Sequence, residues 1–89
     1  MTAEERDPPT TALLCLRVTT DCDPSVLPRL LGHFHNLNVT PRRVLAELGS
    51  GSQLHVKVDV SGLSEERLSL ITAKLGQNPC VLNAYWHHL

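Results

Sequence analysis

Apolar residues recur along this chain with two different periods, and the switches between them mark the elements. From Ala12 to Thr19, Leu14, Leu16 and Val18 alternate with Leu13, Cys15 and Arg17, which predicts a strand with one apolar face. Asp21-Cys22-Asp23-Pro24 reads as a turn. Beyond it Leu27, Leu30, Leu31, Phe34 and Leu37 return at spacings of three and four, with Arg29, His33 and Asn36 on the other side, the pattern of an amphipathic helix. Pro28 fixes where that helix begins. In a helix interior a proline costs roughly 3 kcal/mol, but in the first turn its missing N–H has no intrahelical partner to lose. Ser25 as N-cap makes Pro28 the third helical residue, and Asn38 stands where a left-handed C-terminal cap belongs. The helix is therefore expected over about Val26 to Leu37.

The second half repeats the sequence of periods. A strand is expected from about Val39 to Leu48, with Pro41 near its start marking an edge position. Gly49-Ser50-Gly51-Ser52 makes a hairpin connection. From Gln53 to Val60 the alternation is clean, with Leu54, Val56, Val58 and Val60 opposed to Gln53, His55, Lys57 and Asp59. Ser64 caps a second helix with Glu65 and Glu66 in its first turn, Leu68, Ile71 and Leu75 on its buried side, and Gly76 and Pro79 as stop signals. A last strand occupies about Cys80 to His88. The order is strand, helix, strand, strand, helix, strand, which is two right-handed βαβ-like halves. The expected class is α+β, a ferredoxin-like βαββαβ sandwich with a four-stranded antiparallel sheet and two helices on one face. Residues 1–11 carry charge, two prolines and no periodicity, the composition of a disordered tail, so the domain is placed at residues 12–89.

Composition narrows the function classes. With 89 residues the chain makes one domain with a small core, for which burying a sheet face in a partner adds stability, so a homodimer is expected. Eight basic and nine acidic residues leave a net charge of −1 and no basic run, which argues against a nucleic-acid partner. No apolar run reaches the roughly 18 residues of a membrane span, and the acidic start lacks the pattern of a secretory signal. A cytoplasmic protein without a membrane partner is expected. Cys15, Cys22 and Cys80 are an odd number without a Cys-x-x-Cys spacing, so they read as reduced thiols, two of them in strands.

The candidate chemistry is sparse. A metal-carrying domain of this topology needs two thiols in its first loop, where only Cys22 stands. An RNA-binding sheet needs exposed aromatics, whereas the polar side of the third strand offers Gln53, His55, Lys57 and Asp59. His33 and His35 are two apart on a helix, and His87 and His88 are adjacent on a strand, so neither pair shares a face. No Gly-x-Ser-x-Gly turn marks a serine nucleophile. Asp21 and Asp23 beside a helix N-terminus are accounted for by the helix dipole and turn chemistry. No catalytic residue, metal or cofactor is expected.

The stretch Val26-Leu27-Pro28-Arg29-Leu30-Leu31-Gly32-His33-Phe34, preceded by an acidic turn and followed by Asn38-Val39, resembles the first helix of ACT domains. It is most similar to that of acetolactate synthase small (regulatory) subunits. Leu27, Arg29, Gly32 and Phe34 match that pattern without a gap, and Asn38 falls at its terminal glycine. The resemblance implies a regulatory domain over about residues 12–88 that pairs side by side with a second copy. It also implies a small effector, often an amino acid, held between the first loop of one subunit and its neighbour. A helix N-terminus with unpaired N–H groups suits a carboxylate there. Carried over residue by residue, the effector or partner loop comprises Cys22, Asp23, Pro24, Ser25, Val26 and Thr40, with Gly32 and Asn38 shaping its frame. The chain departs from the effector-binding pattern at two points, Ser25 for a loop glycine and Thr40 for an asparagine.

The resemblance implies a non-catalytic regulatory protein of the short, single-domain type, which activates a large thiamine-diphosphate catalytic subunit in branched-chain amino-acid biosynthesis. In that reading the cofactors belong to the partner. The alternative is a free-standing amino-acid sensor or dimeric interaction module acting on another protein. An acylphosphatase-like hydrolase of the same fold lacks its support here, because the first loop has no glycine-rich phosphate cradle with a placed arginine.

Overall fold

The computed structural model describes residues 13–21 and 23–89, so the expected tail at 1–11, Ala12 and Cys22 lie outside the described residues. The elements are β1 (Leu14–Asp21), α1 (Val26–Asn36), β2 (Arg43–Leu48), a single 3-10 turn at Ser50–Ser52, β3 (Gln53–Val60), α2 (Glu65–Gly76) and β4 (Val81–His88). The four strands form one antiparallel sheet in the spatial order β2-β3-β1-β4. This is the expected ferredoxin-like βαββαβ sandwich.

The register sorts side chains onto two faces. Leu14, Leu16 and Val18 of β1 lie opposite Val60, Val58 and Val56 of β3. All six are buried, and with Leu30 and Phe34 of α1, Leu68, Ile71 and Leu75 of α2, and Leu63 they form the core. Both helices therefore cover the same side of the sheet. Leu27 and Leu37 pack only at the core margin and Leu31 is half-buried, whereas Val26, at the first helical position, is buried. A residue's depth here follows the tilt of the helix on the sheet, which periodicity alone does not carry.

Three boundaries differ from expectation for identifiable reasons. β1 continues to Asp21 because Thr20 and Asp21 find partners in Leu54 and Gln53. β2 starts at Arg43 instead of about Val39. The Val39 N–H is already spent on the Phe34 carbonyl (2.9 Å) and the Asn38 N–H on His35 (2.9 Å), with Asn38 left-handed at φ 58°. This paired closure of a helix end uses the asparagine as the sequence predicts. Pro41 then has no N–H to give, so the pairing with β3 opens at Arg42, which donates to Asp59 (2.7 Å). Cys80 falls outside β4, since its N–H is captured by the Asn78 side chain at 2.9 Å, so Cys15 is the one cysteine in a strand among the described residues.

β2 is an edge strand, as Pro41 implied, and an uncovered one. Val44, Ala46 and Leu48 lie on the helix side by their register with Val58, Val56 and Leu54, yet every residue of β2 is exposed, Leu48 at 68%. Thus the two helices shield the centre of the sheet and leave this edge bare.

Candidate functional site

The β1–α1 loop is organised by one carboxylate. After β1, the Asp21 N–H donates to the Cys80 carbonyl (2.9 Å), which ties the loop to the turn preceding β4. The Asp23 N–H reaches back to the Asp21 carbonyl (2.8 Å), and the Val26 N–H donates to the Asp23 carbonyl (3.1 Å). Asp23 Oδ1 then accepts both the backbone N–H and the hydroxyl of Ser25, each at 2.9 Å. Its second oxygen faces the Cys80 thiol at 3.7 Å.

Ser25 occupies the N-cap position with φ −80° and ψ −15°, already helical, and makes no side-chain cap bond. The expected serine cap is therefore corrected: the hydroxyl donates to Asp23 instead of accepting from the helix. The reason is local, because a carboxylate two residues upstream competes better for that hydroxyl than an N–H inside the first turn. Hydrogen bonds from the Ser25 N–H and hydroxyl lower the Asp23 pKa from its ordinary value, with smaller help from the Cys80 thiol and the Arg29 charge against the opposing effect of burial. Burial, reinforced by the negative charge of Asp23, raises the Cys80 pKa above the ordinary thiol value.

The other residues assigned to the site are dispersed. Cys22 lies outside the described residues; Pro24 is exposed, and the Val26 side chain is turned into the core. Gly32 sits mid-way along α1, and a Cβ there would meet nothing within 4 Å, so no close approach among the described residues calls for a glycine. Asn38 and exposed Thr40 lie past the far end of α1, an 11-residue helix. At 1.5 Å per residue that end is roughly 16 Å from Ser25. Within one chain the loop and Thr40 do not converge.

Two regions were not singled out by sequence. On the uncovered sheet face, Arg17 lies directly opposite Lys57 across the two central strands, and Tyr85 of β4 is Arg17's partner on the other side. Tyr85 is 48% exposed, an aromatic that inspection of β3 alone leaves out. Arg17 Nε donates to His87 Nε2 at 3.0 Å. Beside them Cys15 is fully buried between Asp59 and His87, and burial together with Asp59 raises its pKa. The second region is the groove between the helices, a cavity of about 350 Å³ lined by residues including His33, Leu37, Arg67, Leu70 and Lys74. The available signal was Leu70, an apolar residue off the buried stripe of α2 and 59% exposed. Among the described residues no three His, Cys, Asp or Glu side chains gather as a metal site. Nor is any helix among them long and apolar enough to cross a membrane.

A four-stranded βαββαβ sheet hosts many unrelated functions, so the fold defines a class of domain and the family comparison narrows it. The chain belongs to the ACT-like domain family, whose model matches residues 7–89. ACT domains are typically regulatory, ligand-sensing modules. The C-terminal domain of the MgtC protein from Mycobacterium tuberculosis superimposes with a TM-score of 0.76 at 15% identity, over 94% of this chain and 93% of that one. The ACT domain from the GTP pyrophosphokinase of Chlorobium tepidum gives 0.70 at 12% identity, over 86% of this chain and all of that one. The uncharacterized protein TM1266 from Thermotoga maritima gives 0.68 at 12%, over 86% and 95%. At these identities the likeness establishes the fold. No curated protein matches the sequence.

Proposed function

We propose that this chain is a non-catalytic ACT-domain regulatory protein that works by binding a larger catalytic subunit, in the manner of acetolactate synthase small subunits. The observation that carries this reading is Gly32. It is one of the four motif residues shared with those subunits, and a mid-helix glycine costs about 1 kcal/mol relative to alanine. Open space surrounds its missing side chain, so packing among the described residues does not require it. A surface that a partner helix or loop approaches closely does. Arg29, also of the motif, is exposed on the same helix.

The loop supports partner binding over effector sensing. The Asp23 carboxylate, bound to the Ser25 N–H and hydroxyl, already places a negative charge beside the α1 N-terminus, where an effector carboxylate would sit. The bare β2 edge suits pairing with a second copy, which makes the homodimer part of this proposal. The alternative, a free-standing amino-acid sensor, needs an effector to displace Asp23 or bind at a dimer interface that includes Thr40.

The test is reconstitution with the cognate thiamine-dependent large subunit. Co-elution and a rise in synthase activity are expected, and Gly32→Leu is expected to abolish both while leaving the circular dichroism spectrum unchanged. Absence of binding and of any activity change refutes the proposal. Calorimetric titration with the twenty amino acids separates the alternative, which predicts saturable heat from at least one that Thr40→Ala reduces.

A further inference from the structure

We propose that the groove between α1 and α2 is a binding site for a small organic carboxylate with a branched or aromatic apolar body, separate from the β1–α1 loop.

The groove has the make-up of a ligand site. Its volume of about 350 Å³ lies at the small end of the range typical for metabolite pockets, roughly 300 to 1,000 Å³. Its apolar side is built from half-buried Leu37, buried Ile71 and exposed Leu70. Arg67 and Lys74 stand one above the other on α2, seven residues apart and so on one helix face, with His33 across from them on α1. Glu66 is the single carboxylate in the lining, and neither cation has an ion-pair partner within 4 Å among the described residues. An adjoining cleft of about 310 Å³ shares His33 and Lys74 and adds Arg29, so the excess of positive charge continues along the groove.

His33 lines both clefts. Burial first, and the Lys74 charge second, lower its pKa from the ordinary imidazole value. The charged groups that line the cavity with it are Lys74, Arg67 and Glu66, with Arg29 in the adjoining cleft. An anion seated between Arg67 and Lys74 offsets the Lys74 field and favours imidazolium. A carboxylate suits Arg67 as a two-pronged partner, while an apolar body covers Leu70, which otherwise remains in water.

The test is titration of the isotope-labelled full chain with isovalerate and 4-phenylbutyrate, followed by two-dimensional NMR. Saturable shifts are expected at the amides of Asn36, Leu37, Leu70 and Ile71. Isoamyl alcohol, which has the isovalerate skeleton without the charge, is expected to bind at least about tenfold more weakly. The double variant Arg67→Gln, Lys74→Gln should lose carboxylate affinity by a similar factor, whereas Lys74→Arg should keep it. Absence of saturable shifts with either carboxylate overturns the proposal. Equal affinity for the alcohol, or carboxylate shifts unchanged in the double variant, overturns it as well. If an acidic peptide shifts these amides and the small carboxylates do not, the groove is a peptide site and the proposal is wrong.

Discussion

The two helices of this domain begin alike in sequence and differently in structure. Each follows a strand and a turn, and each starts after a serine. Ser64 is extended at φ −72° and ψ 155°, and its hydroxyl accepts the Arg67 N–H at 3.2 Å, an ordinary N-cap. Ser25 is helical, and its hydroxyl donates to Asp23 instead. The difference lies two residues upstream, where α1 has Asp23 and α2 has Gly62, left-handed at φ 77°. A carboxylate within reach takes over the loop and places a negative charge at the helix entrance. A glycine does not compete, and the serine is left to cap. At the α1 entrance the carboxylate takes the N–H and hydroxyl of the N-cap serine, whereas at the α2 entrance the serine hydroxyl caps the helix.

The largest perturbation should come from the anchor that holds α1 to the sheet. Phe34 is fully buried in the core, and Phe34→Ala is expected to cost about 3–5 kcal/mol in urea unfolding, enough to threaten folding of a domain this small. The capping contrast itself is tested by two alanine variants. Ser64→Ala should lose about 1 kcal/mol, and Ser25→Ala distinctly less, since its hydroxyl satisfies no helix N–H. Equal losses would mean that the two entrances are energetically the same and that Asp23 does not replace the serine.

Gly32→Ala acts in the opposite direction. With open space around the position, the free chain should gain about 0.5–1 kcal/mol in unfolding free energy. A loss instead would reveal a close contact and remove the argument for a partner surface. The smallest effect expected is the acid dependence at Asp23. Its pKa is lowered on folding, so its contribution to stability is fully present above the ordinary carboxylate pKa and is lost as pH falls through the folded value. Asp23→Asn should therefore flatten the acid limb of the stability profile measured by thermal melts. The effect is modest because water screens this loop.

Much of the fold was legible from residue order. The bounds of β3 coincide with the alternation from Gln53 to Val60, and Ser64 caps α2 as its spacing to Glu65 and Glu66 suggested. Asn38 closes α1 in the left-handed conformation expected of it. The late start of β2 was not legible, because it depends on Val39 being drawn into the closure of α1 before Pro41 interrupts the ladder. The candidate site was legible only as a list. Asp23 and Ser25 meet in the loop, but Gly32, Asn38 and Thr40 are set along and beyond a helix whose length keeps them apart.

Periods of two and about three and a half, capping residues and breakers determined, from the sequence by itself, which segments become strands and helices and which faces turn inward. These are local properties, written within a few residues of one another. What faces what across the molecule was decided only by tertiary structure. The meeting of Asp23 with Cys80, Arg17 opposite Lys57, and His33 across the groove from Arg67 and Lys74 joins residues far apart in the chain. Register and helix placement set those distances, and they follow from packing the whole core at once.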